Sequence, residues 1–191
     1  MWLVVGLGNP GREHEGQRHN AGFMVIDALR RAEGLPELQR KFEGLFARGE
    51  IAGHAVALLE PQTYMNLSGD SVQPAAAFLK VQPGEIVVVH DELDLPWGEV
   101  RLKVGGGHAG HNGLRSLIER LGSPDFVRVR VGIGRPPATF PGPMADWVLS
   151  RFDPVERAEL PAVLDRAVEA VRILVKDGVQ AAMNAVHAPR P

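Results

Sequence analysis

Apolar and polar positions along the chain follow two different periods, and the period changes several times. Short apolar or alternating runs between glycine, proline and polar residues indicate strands, whereas apolar residues three to four positions apart indicate helices. The pattern predicts strands at 2–7, 44–51, 55–60, 86–90, 98–104 and 126–133. It predicts helices at 20–32, 68–79, 112–121, 154–176 and 178–186. Because strands and helices alternate, we expect one α/β domain over residues 1–191, a three-layer α/β/α arrangement around a twisted sheet.

Two segments refine this expectation. Residues 44–60 pass through Ala52, Gly53 and His54 between two strands, which is typical of a hairpin. The sheet should therefore be mixed and mostly parallel rather than purely parallel.

Residues 134–143 contain four prolines and two glycines. We expect an irregular flap over a surface groove there.

The composition narrows the function classes. The chain of 191 residues has no cysteine, which excludes disulfides, thiol nucleophiles and cysteine-ligated metals. No apolar run approaches the roughly 18 residues of a membrane span, and Met1 leads into a strand without a basic region or cleavage site. We therefore expect a cytoplasmic protein that does not bind membranes. The net charge of −2 excludes a globally basic nucleic-acid binder.

A local excess of positive charge nevertheless occurs at residues 98–135. Seven basic and three acidic side chains give this segment a net charge of +4, which leaves −6 for the rest of the chain. Arg128 and Arg130 fall on one face of a predicted strand, because strand side chains alternate. Such a patch can attract nucleic acid, since phosphate contacts supply most sequence-independent affinity. A solvated face without a partner is the alternative.

The first predicted strand runs into a glycine pattern, Gly6-Leu-Gly-Asn-Pro-Gly11, that has two interpretations. Taken alone, it satisfies the dinucleotide-binding pattern, in which a helix N-terminus receives the pyrophosphate. That interpretation needs a helix at the third glycine, but Pro10 and Gly16 disfavour one, and the apolar helical period resumes only after His19. The acidic residue expected about 20 positions later on a second strand is also missing. We therefore favour a rigid turn at the rim of a hydrolytic site.

Three polar side chains support a site at the strand ends. Asn9 follows the first strand, and Asp91 follows the buried run at 86–89. If these strands are parallel neighbours, Asn9, His19 and Asp91 share one crevice. An aspartate that accepts a hydrogen bond from one imidazole nitrogen leaves the other nitrogen free to take a proton from water. The structural alternatives are a histidine bonded to a nearby carbonyl and a carboxylate in a turn.

Two further asparagines precede predicted helices. Asn66 lies in Tyr64-Met-Asn-Leu-Ser-Gly69, and Asn112 follows the glycine-rich run at 105–110. An asparagine in this position is most often a helix N-cap. Helix openings also carry unpaired N–H groups that can bind an oxyanion or a phosphate. Both interpretations are open at this point.

The chain contains five separated motifs: VGLGNPG at 5–11, RHNAG at 18–22, YMNLSG at 64–69, HDEL at 90–93 and GGGHAGHNGL at 105–114. In order and spacing they resemble those of bacterial peptidyl-tRNA hydrolase. The resemblance spans residues 2 to 186. It implies hydrolysis of the ester between the peptide and the 3′-terminal ribose of peptidyl-tRNA, which recycles tRNA during translation.

The resemblance also implies roles for individual residues. His19 would be the catalytic base, oriented by Asp91, and Asn66 would polarise the reacting carbonyl or bind its oxyanion. Asn9, Tyr64, Met65, His111 and Asn112 would bind the peptide and the terminal adenosine region. Lys103 and Arg130 would clamp the tRNA 5′-phosphate. The resemblance implies a monomer that needs no metal, no cofactor and no protein partner. One position departs from the family, because His14 stands where a tyrosine is usual.

Three other function classes compete with this assignment. A serine hydrolase would need a Gly-x-Ser-x-Gly turn, which the chain lacks, and we interpret Ser68 and Ser116 as helix-start or surface residues. A metallohydrolase could use His108, His111 and an acid, although this is a weak ligand pattern. An RNA-binding module of the same fold, like the plant organellar splicing factors that resemble this family, would not need His19, Asp91 and Asn66.

Overall fold

One seven-stranded sheet organises the computed structural model, which describes residues 1–188. The strands are β1 (Trp2–Gly6), β2 (Gln39–Lys41), β3 (Gly44–Ile51), β4 (His54–Pro61), β5 (Ile86–Glu92), β6 (Val100–Val104) and β7 (Val127–Gly132). The helices are α1 (Ala21–Glu33), α2 (Gly69–Leu79), α3 (Asn112–Leu121), α4 (Met144–Val148), α5 (Pro154–Asp177) and α6 (Val179–Val186). Every predicted element is present, with each end within two residues of its expected position.

Two short elements escaped sequence analysis. β2 is fully exposed and polar, so it has no apolar alternation, and only its antiparallel pairing with β3 makes it a strand. α4 is a five-residue helix that follows the proline-rich segment, too short for a helical period to be recognised. Residues 134–143 themselves contain neither helix nor strand, as expected.

The strands lie in the order β2-β3-β4-β1-β5-β7-β6. β1 pairs in parallel with both β4 and β5, and β5 pairs in parallel with β7. Only β3 and β6 run in the opposite direction, and β3 forms the expected hairpin with β4. The sheet is therefore mixed and mostly parallel, and its parallel centre places the carboxyl ends of β1 and β5 side by side.

Both faces of this sheet are covered, which gives the three-layer α/β/α architecture. Val4 faces a core completed by α1, α5 and α6, whereas Leu3 and Val5 face a second core completed by α2 and α3. Alternating side chains of a central strand must both be apolar in such a sandwich, which explains the uninterrupted apolar runs of β1 and β5. None of the helices within residues 1–188 combines the length and apolar character that a bilayer span requires.

The glycines of the opening motif bring α1 against the sheet. A Cβ on Gly6 would lie 2.3 Å from the Gly22 carbonyl oxygen, and a Cβ on Gly22 would lie 2.4 Å from the backbone of Leu7 and Val89. A side chain at either position is therefore excluded by backbone atoms. Gly8 likewise packs against the Phe23 ring. These glycines allow α1 to pack closely on β1 and β5. As a result, the turn at residues 18–20, which comes immediately before α1, lies at the edge of the sheet.

Candidate active site

The carboxyl ends of β1 and β5 form the floor of the candidate site. A short 3₁₀ turn, Arg18–Asn20, leads into α1 and holds His19 over the end of β5. The His19 Nδ1 atom lies 2.7 Å from Asp91 Oδ2, and both residues are buried. Because the carboxylate accepts the Nδ1 proton, the Nε2 atom of neutral His19 is unprotonated and can accept a proton from water.

A second imidazole contacts the same carboxylate. His111 precedes α3 as its N-cap, and its Nδ1 accepts hydrogen bonds from the backbone N–H groups of Gly113 and Leu114. The proton of neutral His111 must therefore be on Nε2, which donates to Asp91 Oδ1 over 2.9 Å. Asp91 thus receives one donor on each oxygen, and both nitrogens of His111 are occupied within the protein. His111 can offer a substrate only its ring carbons.

His19 and Asp91 shift each other's pKa toward the charged form. Burial acts to lower the pKa of His19, but the charge and hydrogen bond of Asp91 outweigh it, so the pKa is raised. Burial acts in the opposite sense on Asp91, but the two imidazoles hold the pKa of this carboxyl well below its usual range. Asp91 is therefore a carboxylate at any working pH, and it makes His19 a stronger base than its burial alone would allow.

His90 lies beside this cluster and differs from His19 in its protonation. Burial, followed by the nearby His111, lowers its pKa to about 3, so the imidazole is neutral. Its Nδ1 donates to the backbone carbonyl of Asp91 over 2.8 Å, and its ring meets the His111 ring edge to face. His90 therefore adds packing and does not compete with His19 for a proton.

Asn9 is held by a residue that sequence analysis used only as a helix start. Asn20 Oδ1 accepts from the Asn9 backbone N–H over 2.8 Å, and Asn20 Nδ2 donates to the Asn9 carbonyl over 3.0 Å. The Asn9 Oδ1 atom accepts from the Met65 N–H over 2.7 Å, which leaves Asn9 Nδ2 to donate toward substrate. The two asparagines are eleven positions apart, so no local signal could have revealed this pairing.

Asn66 and Asn112 were the other two asparagines expected in the site, and neither is a helix cap. Ser68 occupies the N-cap position of α2 without a capping hydrogen bond from its side chain, and His111 caps α3, so the capping interpretation of both asparagines was wrong. Both side chains are exposed on the wall of the site. Three N–H groups at these helix openings are paired within the protein, since Gly113 and Leu114 donate to His111 Nδ1 and Gly69 donates to Ser116 Oγ. The expectation of unpaired N–H groups is therefore wrong for these three residues.

The ten residues to which the resemblance assigned roles all line one cavity of about 740 Å³. Tyr64 is 59 % exposed at its rim, where its ring meets the edge of His14, whereas Met65 is buried beneath it. Met144 and Val148 from α4 line the far side. The cavity thus joins an apolar rim to the polar cluster around Asp91.

A basic wall closes the cavity along β6 and β7. Lys103 lies directly across from Arg128 in the antiparallel register, so their side chains share a face of the sheet with Arg130. Arg130 lies 3.8 Å from Glu92 and is partly exposed. The basic segment found in the sequence therefore contributes to the same cavity as the polar cluster, although its Arg120 lies on α3 and pairs with Asp70.

Arg18 anchors the far side of the cavity to the turn that carries His19. Its guanidinium lies 3.7 Å from the centre of the Trp147 ring of α4 and binds Glu156 over 2.6 Å. It also donates to Ser150 Oγ over 2.6 Å. Trp147 in turn donates to the Gly134 carbonyl. One end of the segment expected as a flap, Gly134, is therefore linked through Trp147 and Arg18 to the turn beside His19, and the other end leads into α4, which carries Trp147.

Within residues 1–188, His19, Asp91 and His111 also form a group of side chains that could reach a common metal ion, with ligand atoms within 4.8 Å of one another. A metal on His111 Nε2 would force the ring proton onto Nδ1, where it would oppose the two N–H groups of α3. The cluster therefore suits proton exchange better than metal binding. His108, the ligand suggested by the sequence, is not part of the group, and its Nδ1 accepts from Gly110.

Neither serine considered as a nucleophile is available. Ser68 Oγ donates to the Met65 carbonyl over 2.7 Å and is fully buried. Ser116 accepts from Gly69 and is buried within α3, so it is not the helix-start or surface residue expected from the sequence. The serine hydrolase alternative has no nucleophile at these positions.

Comparison with known proteins gives the family. A family model described as peptidyl-tRNA hydrolase matches residues 3–191. A peptidyl-tRNA hydrolase from Sorangium cellulosum is 60 % identical over 191 residues, covering 100 % of this chain and 85 % of the relative. One from Mycolicibacterium vanbaalenii is 51 % identical, covering 97 % and 96 %. A crystal structure of the Acinetobacter baumannii peptidyl-tRNA hydrolase superposes with a TM-score of 0.92 at 42 % identity, covering 100 % of this chain and 96 % of that one. The chain therefore belongs to the peptidyl-tRNA hydrolase family.

Proposed function

We propose that this protein hydrolyses the ester between the peptide and the 3′-terminal ribose of peptidyl-tRNA and so returns tRNA to translation. The observation that carries the proposal is the His19–Asp91 pair, with a 2.7 Å hydrogen bond, on the floor of a cavity with a basic wall. The relatives reported above bear the name of this activity.

His19 acts as the general base. Its Nε2 takes a proton from a water molecule as the water oxygen attacks the ester carbonyl, and the carbonyl oxygen becomes an oxyanion. The ester C–O bond then breaks, and protonated His19 returns the proton to the departing 3′ oxygen of the ribose. The products are the free peptide acid and tRNA. Asp91 holds the imidazole in the required tautomer and stabilises its charged form.

Three asparagine side chains, Asn9, Asn66 and Asn112, bind the substrate. Asn66 donates to the carbonyl oxygen, where negative charge develops. Asn9, through its free Nδ2, and Asn112 hold the peptide and the terminal adenosine. Tyr64 and Met65 line the peptide path at the rim of the cavity. His111, whose nitrogens are both occupied, orients Asp91 and packs against the substrate.

The basic wall binds the tRNA. Lys103 and Arg130 contact the 5′-phosphate, since both line the cavity and stand on one face of the sheet. The active form is a cytoplasmic monomer without a metal or organic cofactor.

The direct test is release of peptide from N-acetyl-aminoacyl-tRNA, with and without EDTA. The wild-type protein should turn over equally in both, and His19→Ala should lose about 10²- to 10⁴-fold in kcat while tRNA affinity is nearly unchanged. His54→Ala is the matched control, because this histidine is exposed and lies outside the cavity lining, and it should retain most activity. Loss of turnover in EDTA would revive the metallohydrolase. Tight tRNA binding without turnover would instead identify an RNA-binding module.

The phosphate contacts are tested separately by salt dependence. Lys103→Ala and Arg130→Ala should each weaken tRNA binding and reduce the slope of log affinity against log salt by about 0.7–0.9. An unchanged slope in both variants would refute the phosphate clamp.

A further inference from the structure

Arg128 behaves differently from the other cations of the basic wall. It is 2 % exposed, whereas the neighbouring Arg130 side chain is 21 % exposed. Its two terminal nitrogens donate to the carbonyls of Gly106 and Gly107, each over 2.5 Å, and one also reaches the Pro124 carbonyl at 3.3 Å. The guanidinium lies 4.7 Å from the centre of the Phe126 ring. Both terminal nitrogens are therefore directed at backbone carbonyls of the protein itself, whereas the buried Nε has no hydrogen-bond partner.

The backbone that receives these bonds needs an external anchor. Gly105, Gly106, Ala109 and Gly110 all have positive φ, between 48° and 100°. A chain in this conformation cannot continue a strand or helix, so its carbonyls have no regular partners. Arg128 supplies donors to two consecutive carbonyls, which a planar guanidinium can do with its two terminal nitrogens.

This loop, residues 105–110, connects two groups of site residues. Before it, Lys103 extends along Gly106, where an added Cβ would lie 2.8 Å from the lysine Nζ. After it come His111, which binds Asp91, and Asn112, which lines the cavity. A displacement of the loop would therefore disturb both the basic wall and the hydrogen bond to Asp91.

We propose that Arg128 is a positioning residue, which fixes the loop at 105–110 and does not bind the phosphate of the substrate. Arg130 is the contrasting case. Its ion pair with Glu92 is long, at 3.8 Å. Both arginines line the cavity, but only the Arg130 side chain is partly exposed. This role of Arg128 rests on the proposed function in one respect, since its effect on turnover requires that the protein hydrolyse peptidyl-tRNA.

Arg-to-Lys substitutions distinguish the two roles, because lysine keeps the charge but cannot span two carbonyls. Arg128→Lys should lower kcat at least about tenfold. The control Arg101→Lys changes an exposed arginine of β6 outside the cavity lining and should stay within about twofold of wild type. The loss in Arg128→Lys should be the same with N-acetyl-aminoacyl-adenosine, a substrate without a 5′-phosphate, as with N-acetyl-aminoacyl-tRNA. A phosphate ligand would give the reverse pattern: rescue by lysine, and for Arg128→Met a defect in KM confined to tRNA.

Hydrogen exchange gives a readout that does not depend on turnover. In Arg128→Lys the amides of Gly105, Gly110 and His111, which are bonded within or beside the loop, should exchange at least about tenfold faster than in Arg130→Lys. Amides of β1 and β5 should be unchanged, which separates a local effect from general unfolding. Unchanged exchange in the loop overturns the proposal. If the wild-type protein did not turn over peptidyl-tRNA, the proposed function would fail while this measurement would still decide the role of Arg128.

Discussion

Asp91 and Glu60 are equally hidden from solvent but carry opposite charge states. They lie near the carboxyl ends of β5 and β4, the two strands that flank β1, and are 3 % and 4 % exposed. The pKa of Asp91 is held well below its usual range, whereas the pKa of Glu60 is raised to about 10. The degree of burial alone therefore does not decide whether a carboxyl group is charged.

Neighbouring side chains account for the opposite pKa shifts of Glu60 and Asp91. For Glu60, burial raises the pKa first, the hydrogen bond and charge of Asp27 raise it further, and Arg30 opposes them only in part. For Asp91, two imidazoles donate one hydrogen bond to each oxygen and outweigh burial. A buried carboxylate with two donors can orient a base, whereas a buried carboxyl beside another carboxyl must keep its proton. The same sheet edge thus holds one group suited to chemistry and one suited to packing.

The largest effect is expected from removing the charge at Asp91. Asp91→Asn should reduce kcat by about 10³-fold, because the amide neither fixes the His19 tautomer nor stabilises its charged form. Asp91 raises the pKa of His19 against the effect of burial, so the lower inflection of the pH–rate profile should move to lower pH in the variant. The profile of kcat/KM between pH 5 and 9 measures this shift. An inflection that stays at the wild-type pH would show that His19 is not the titrating base.

A smaller effect, with the opposite pH shift, is expected from the second imidazole. His111→Asn keeps a residue that caps helices well but removes the donor to Asp91 Oδ1. The carboxylate then acts more strongly on His19, so the inflection should move to higher pH, with kcat reduced by about tenfold. The same pH series checks it. A shift in the same direction as in Asp91→Asn would contradict the assignment of His111 as a donor.

The smallest effect is expected at Glu60 and concerns stability. Its folded-state pKa is raised from 4.5 to about 10, so the stability that its neutral form contributes is complete below about pH 4.5 and declines as pH rises toward 10. Glu60→Gln is neutral at every pH and should escape this decline. At pH 5.5, one unit above the unfolded-state pKa, we expect a gain of about 1 kcal/mol, or a Tm higher by roughly 2–4 °C, from thermal unfolding, and the gain should grow as the pH rises to 8.5.

The pH dependence of that gain is its control. At pH 4.5 and below, wild type and Glu60→Gln should unfold at nearly the same temperature, since Glu60 is then protonated in both the folded and the unfolded chain. Turnover at 25 °C should be unaffected, because Glu60 lies outside the cavity lining. A variant that is less stable than wild type at pH 8.5 would show that Glu60 is charged in the folded protein.

Sequence alone determined the layered fold and most of the elements, because long apolar runs and helical periods report burial directly. It also placed Asn9 and Asp91 at strand ends, where the parallel pairing of β1 with β5 brought them together with His19. The five separated motifs were specific enough to indicate the family, which the comparisons established.

The tertiary structure alone decided how these side chains are held. Asn20 pairs with Asn9 across eleven positions, His111 divides its nitrogens between α3 and Asp91, and Arg128 turns its charge inward. The state of Glu60 likewise depends on Asp27, a residue on a different element. Periodicity records which side of an element is buried, but hydrogen-bond partners and charge states depend on what lies across the interface, which only the packed chain specifies.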